Sequence, residues 1–132
     1  KRRIDGMIVG NTTTARPPDL RERVKSIEQG GLSGRPLFRL STRVLAETYV
    51  RVEDAFPLIG VGGITSGAGA IAKIKAGAAL VQVYSGLVFR GVGLVAQIKA
   101  DLLAVLRRGP AHDLTELIGA DAAAMTAEPW PG

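Results

Sequence analysis

The sequence predicts an α/β fold built on parallel strands, and three observations carry that reading. Apolar runs alternate with helix-spaced segments along the chain, and such alternation implies parallel strands joined by right-handed crossovers. The runs are apolar throughout, as in strands covered on both faces. Two of them end in small residues just before a helix-like segment, in "LIGVGGITSG" and in "VQVYSG".

The elements follow in order. Met7–Val9 forms the first strand, stopped by Gly10 and Asn11. Thr12 to Leu40 is rich in Pro, Gly, Ser and Arg, with only a short charged stretch around Arg21 to Lys25. A connection of that length tends to be functional. Ser41 is placed as the cap of a helix from Thr42, with Leu45, Thr48, Tyr49 and Val52 at helical spacing and Pro57 beyond its end. Leu58–Val61 is the second strand. Ser66 caps a short helix whose inner face is Ala70, Ile71, Ile74 and Ala78, and Ala79 to Tyr84 is the third strand. Val95, Ile98, Leu102 and Val105 mark a longer amphipathic helix, ended by Gly109-Pro110. Asp113 and Glu116 resemble a capping box for a last helical turn. "AAAMTAEPWPG" reads as a frayed tail, so residues 1–108 form the folded segment and 109–132 a tail with a short helical turn. Tyr49 and Trp130 read as packing or tail residues, and His112, the only histidine, lies in a polar turn.

Composition narrows the function classes. The chain has 132 residues, 46% of them hydrophobic and 22% charged, which fits one small folded domain. No apolar run is long enough to cross a bilayer, and no apolar stretch follows the basic "KRR" start as in a signal peptide. With no cysteine there is no disulfide or thiolate metal site, and no metal site is predicted. The net charge is +5, but the arginines are scattered and few aromatics are interleaved with them. That describes a solvated basic surface, not a nucleic-acid interface. The first residue is Lys1 and a strand follows almost at once, as if the chain were the end of something longer.

The glycines at the strand ends point to chemistry. Backbone N–H groups at a helix start bind phosphate well, because the donors are unpaired and the dipole is positive there. A side chain would block the approach, so Gly60, Gly62 and Gly63 are expected to open it. Tyr84 and Ser85 offer a second set of N–H groups and a hydroxyl. Two consecutive strand-to-helix loops that clamp one phosphate are typical of a (β/α)₈ barrel. Tight turns in an ordinary α/β protein remain the alternative at this point.

Four motifs, "DGMIVGNTTTARP", "GGLSGRPL", "LIGVGGITSG" and "AGAALVQVYSGLVF", resemble consecutive motifs of the dihydroorotate dehydrogenase family, in order and at family-like spacing. The resemblance covers Asp5 to about Arg107. "GGLSGRPL" followed by "LSTRVLAETY" resembles the membrane-associated, quinone-reducing class more than the soluble classes. The resemblance implies the C-terminal part, about three βα units, of a (β/α)₈ barrel carrying FMN at its mouth. It implies oxidation of dihydroorotate to orotate in UMP biosynthesis, with a quinone as electron acceptor. By the same resemblance Asn11 and Thr12 contact orotate. Ser33 and Gly34 contact the flavin, and Val61, Gly62, Gly63, Tyr84 and Ser85 hold its phosphate. Gly10 stands beside the flavin where the family often has Ser or Thr.

The family's catalytic serine lies upstream of the matched region, so no residue here is assigned as base, and the chain alone is expected to be inactive. The membrane-docking part is upstream as well. The complete enzyme is therefore expected at the cytoplasmic face of the inner membrane, and this piece to be soluble or aggregation-prone. Two other readings stand beside this one. The first is a non-catalytic remnant that binds a phosphate-containing ligand. The second is another barrel enzyme, such as the inosine-monophosphate dehydrogenase type, against which "NTTTARP" and "GGLSG" argue.

Overall fold

Three strands form a parallel sheet in chain order: β1 (Met7–Val9), β2 (Leu58–Val61) and β3 (Ala78–Gln82). This computed structural model describes residues 3–18, 20 and 27–131; the charged stretch expected around Arg21 to Lys25 lies almost wholly outside them. In register, Met7 faces Leu58 and Val9 faces Gly60, while Ile59 faces Leu80 and Val61 faces Gln82. The helices are α1 (Phe38–Val52), α2 (Gly67–Lys75), α3 (Ser85–Arg90), α4 (Gly93–Arg108) and α5 (Ala122–Ala127). Short 3₁₀ turns lie at Arg35–Leu37 and Thr115–Leu117. The strands sit as the apolar runs predict, except that β3 starts one residue earlier and ends two residues sooner.

Burial along the strands alternates, contrary to the expectation of two covered faces. Val9, Leu58 and Ala78 point into the core with Leu45 and Ala46 of α1, whereas Ile8 is 55% and Leu80 is 63% exposed on the opposite face. Within this chain α1 and α2 cover one face of the sheet. A second cluster, Ile64, Ala70, Leu94 and Ile98, joins α2 to α4. Leu94, not the predicted Val95, leads the buried stripe of α4; Val95 is exposed.

Gly60 sets how closely the layers approach. A Cβ there would lie 3.0 Å from the Ala78 Cβ, 3.1 Å from Leu45 Cδ2 and 3.2 Å from the Lys73 Cβ. The centre of β2 therefore has no room for a side chain, and both helices close onto it.

The start of α1 departs from the sequence reading. The 3₁₀ turn at Arg35–Leu37, with Pro36 presetting its backbone, runs straight into the helix at Phe38. Ser41 is thus a buried residue of the first turn, not the cap. Ser66 does cap α2, accepting from the Gly69 N–H at 3.2 Å. On α2 Ala70 and Ile74 are buried as expected and Ile71 is half-buried, but Ala78 already belongs to β3. The six-residue α3 had no counterpart in the sequence reading. The turn near Asp113 forms, with Asp113 Oδ1 accepting from Thr115 N at 2.7 Å and Glu116 Oε2 accepting from His112 N at 3.3 Å.

The C-terminal segment is docked, which corrects the expectation of a frayed tail. Ala122 of α5 is buried against the main core. The Arg43 guanidinium of α1 donates to the carbonyls of Met125 (2.8 Å), Thr126 (2.8 Å) and Glu128 (2.6 Å). A cation that caps the last carbonyls of a helix also meets the negative end of its dipole. The Arg43 guanidinium also stands 5.1 Å from the Trp130 ring centre, and Tyr49 packs against the main core.

Leu45 is fully buried beneath β2. Leu45→Ala is expected to destabilise the intact protein by about 2–5 kcal/mol, read from the denaturant midpoint. A loss below about 1 kcal/mol would place this core elsewhere.

Candidate functional site

Because the strands are parallel, their C-terminal ends emerge on one side of the sheet. There they bring together Gly10, Asn11 and Thr12 after β1, Val61 at the end of β2 with Gly62 and Gly63 beyond it, and Tyr84 and Ser85 after β3. With Ser33 and Gly34 these residues line one cavity of about 330 Å³. All ten residues that the family resemblance points to share it, whereas Gly60, also expected to open the approach, lies within β2 against the core.

The loop between β1 and α1 is shaped to reach this mouth. Thr13 and Leu32 exchange backbone hydrogen bonds of 3.1 and 2.7 Å. Gly31 packs on Thr12 so closely that a Cβ would come 1.9 Å from its Oγ1. The Arg16 guanidinium donates to the carbonyls of Glu28 (2.9 Å) and Gly30 (2.8 Å), tying the two arms of the loop. Ser33 is thereby delivered to β3, where the Ser85 hydroxyl donates to Ser33 Oγ at 3.2 Å. Asn11 turns its Oδ1 back onto the Thr12 N–H at 2.7 Å, which leaves its NH₂ group to donate elsewhere.

The glycine turn is built differently from the expectation. Gly62 (φ 99°) and Gly63 (φ 73°) adopt left-handed backbone conformations that favour glycine. A Cβ on Gly62 would lie 2.8 Å from Ser41 Oγ, and one on Gly63 would lie 2.6 Å from the Phe38 Cβ and 2.7 Å from Phe38 N. Both would strike α1, behind the turn. The glycines therefore serve close packing and backbone direction; they do not clear an approach from the front.

The Gly62 carbonyl accepts from Ser41 Oγ at 3.1 Å. Among the described residues, no backbone carbonyl accepts from the N–H groups of Gly63, Tyr84 or Ser85. The cavity lining therefore holds, among the described residues, donors and hydroxyls but no carboxylate, imidazole or amine. Such a set can hold an anion and orient a polar ring, and it offers no ordinary general base.

Sequence patterns do not reveal three residues that shape this end of the sheet. Arg16 reads as part of a solvated basic surface and Ser41 as a cap, and no local pattern marks Lys73. Lys73 is fully buried on α2 and donates from Nζ to Ser41 Oγ at 2.6 Å. Burial pulls its pKa down to about 7, and among the described residues no carboxylate pairs with it. A larger cavity of about 1070 Å³, lined by Arg35, Arg39 and Ser66, shares only Gly63 with the predicted site residues. Among the described residues no group of His, Asp or Glu side chains is placed to hold a metal ion.

Comparison with known proteins bears on this geometry. The family model for dihydroorotate dehydrogenase matches residues 1–106. The dihydroorotate dehydrogenase (quinone) of Bradyrhizobium diazoefficiens is 64% identical over 131 residues, spanning 99% of this chain and 36% of that protein. A relative of the same name from Rhodopseudomonas palustris is 66% identical over 130 residues, with 98% and 36% covered. The chain thus spans about a third of the length of these curated relatives. Among solved structures, DHODH from Eimeria tenella in complex with ferulenol superposes with a TM-score of 0.82 at 38% identity, covering 89% of this chain and 31% of that one. Its ligand-free form gives 0.83, again at 38% identity, covering 89% and 32%.

The buried lysine has a measurable consequence. Its folded pKa of about 7 lies below the ordinary value of 10.5. Between those two values the unfolded chain holds the proton and the folded chain does not, so stability contributed by this site rises with pH across that window and is lowest below pH 7. Lys73→Met is expected to stabilise the intact protein most at pH 6 and progressively less toward pH 10, read from denaturant midpoints. A pH-independent difference would show that the lysine is not buried as a cation.

Proposed function

The chain belongs to the dihydroorotate dehydrogenase family, and from that premise we propose that it supplies the phosphate end of an FMN site and part of the orotate site of a quinone-reducing enzyme. Family membership sets aside the inosine-monophosphate dehydrogenase type, and the parallel three-stranded sheet is part of a (β/α)₈ barrel like those of its structural relatives.

One observation carries the proposal. The ends of three adjacent parallel strands and the loop before α1 bring the ten candidate residues to one cavity, and among the described residues no backbone carbonyl accepts from the N–H groups of Gly63, Tyr84 and Ser85. The residues fit an FMN phosphate: Gly62 and Gly63 are held in left-handed conformations, and Gly63, Tyr84 and Ser85 offer N–H donors from two successive loops. Ser33 and Ser85, already 3.2 Å apart, add hydroxyls at the same rim. Gly34 and Val61 are wall residues, and Gly10 contributes backbone only. Asn11 and Thr12 follow β1, at the opposite edge of the sheet from β3, and their amide and hydroxyl can pair with the edge of a pyrimidine ring.

FMN held there would supply two-electron oxidation of dihydroorotate to orotate and pass the electrons to a quinone. The residues of this chain bind and orient. The proton leaving the substrate carbon needs a base, and among the described residues the cavity lining has no carboxylate, imidazole or amine to take it. That base belongs to the remainder of a protein of the relatives' length, so this chain alone would not turn over dihydroorotate. Membrane association and quinone access are assigned to the same remainder; among the described residues no helix is long and apolar enough to cross a membrane.

Two substitutions test the reading in a full-length protein in which this chain replaces the matching segment of the Bradyrhizobium diazoefficiens relative. Gly63→Ala forces a Cβ onto the Phe38 backbone and is expected to weaken FMN binding by at least about tenfold, roughly 1.4 kcal/mol, in a flavin-fluorescence titration. Wild-type affinity would remove Gly63 from the phosphate site. Asn11→Ala is expected to leave flavin bound while lowering kcat/KM for dihydroorotate by about 1–3 kcal/mol. Unchanged kinetics would remove Asn11 from the substrate contacts.

A further inference from the structure

Lys73 lies behind the glycine turn, on the side away from the cavity. Its stem packs under Gly60, where a Cβ would lie 3.2 Å from the Lys73 Cβ. Its Nζ donates to Ser41 Oγ at 2.6 Å and stands 5.1 Å from the centre of the Phe38 ring. Ser41 Oγ lies 3.1 Å from both the Gly62 and the Phe38 carbonyl oxygens. A hydroxyl has one hydrogen and two lone pairs. Accepting from an ammonium leaves the Ser41 hydrogen for these carbonyls.

A buried cation without a carboxylate partner costs stability, and an apolar side chain of the same length would fill the space at less cost. The Phe38 ring recovers part of that cost. Burial brings the Lys73 pKa to about 7, where an anion at this end of the sheet would favour the protonated form. The peptide between Gly62 and Gly63 is planar and trans, so its carbonyl and its N–H point in opposite directions. With the Gly62 carbonyl held by Ser41, the Gly63 N–H is turned away from Ser41.

Resting on the phosphate reading above, we propose that Lys73 is a positioning residue for the flavin phosphate: through Ser41 it locks the Gly62–Gly63 peptide with its N–H toward the cavity, and its charge backs the bound dianion. The ammonium is one hydroxyl and one peptide removed from that N–H. From its buried position a protonated lysine at that remove strengthens anion binding without touching the ligand, and a nearby dianion in turn favours the protonated form. The contact polarises the turn from behind, as a lysine at the front would do by direct pairing.

The test uses the full-length chimera and two ligands that differ by the phosphate, FMN and riboflavin, titrated by flavin fluorescence. The wild-type protein is expected to prefer FMN. Lys73→Met is expected to lose at least about tenfold in FMN affinity while its riboflavin affinity stays the same. Ser41→Ala, which breaks the link and keeps the lysine, is expected to shift the FMN-to-riboflavin ratio in the same direction. An unchanged ratio in Lys73→Met overturns the proposal, as does an equal loss for both ligands, which would mark the lysine as part of general packing. A wild-type protein that does not distinguish FMN from riboflavin overturns the phosphate site itself, and the role of Lys73 with it.

Discussion

The contact between the Gly62–Gly63 turn and the first turn of α1 is the constraint on which the site depends. Ser41 and Phe38 press so closely on the turn that no side chain fits at either glycine. That contact decides where β2 ends, how α1 enters the core and which way the peptide groups of the turn point. It is made possible one step earlier by Gly60, which lets Leu45 and Lys73 close onto the middle strand. Moving α1 outward by even one methyl group would release the turn, because interiors this closely packed transmit a volume change directly.

Around this contact the structure combines rigid and costly parts. The loop before α1 is held by the Thr13–Leu32 pair and by Arg16, so Ser33 reaches Ser85 through a connection that would otherwise carry a large ordering entropy. The lysine behind the turn works the other way. It is buried and has no counter-ion among the described residues, and its destabilising effect is local to the candidate-site end of the sheet. Strained or costly features that persist at such places point to binding or catalysis more than to stability. The docked tail, fastened by Arg43, steadies the outer face of α1.

Much of this was legible in the sequence, and the misses have physical reasons. The three strands, the Ser66 cap and the end of the long helix at Gly109 follow from local patterns: apolar runs, cap chemistry and breakers. The ten cavity residues were legible through motifs whose order and spacing resemble one family. Ser41 was misplaced because a serine before a helical pattern is a good cap, and only the Pro36 turn upstream starts the helix sooner. Lys73 was invisible because its neighbours on α2, Ile71 and Ile74, define a stripe that ordinarily excludes a lysine. The tail was misjudged since the carbonyl-capping Arg43 lies some eighty residues away in sequence. Gly62 and Gly63 do form the turn after β2, but their need for glycine comes from α1 behind them, because which side of a turn is crowded depends on packing that no local pattern encodes. The exposed Ile8 and Leu80 belong with these: fully apolar strands imply two covered faces, and this chain covers one.

The central claim is that the mouth formed by β1, β2 and β3 holds the phosphate of a flavin. A crystal structure of the full-length chimera grown with FMN tests it most directly. The account expects phosphate oxygens within about 3 Å of the backbone nitrogens of Gly63 and of Tyr84 or Ser85, with the Gly62 carbonyl still turned to Ser41. A phosphate seated instead in the larger cavity beside Arg35 and Arg39 would contradict it.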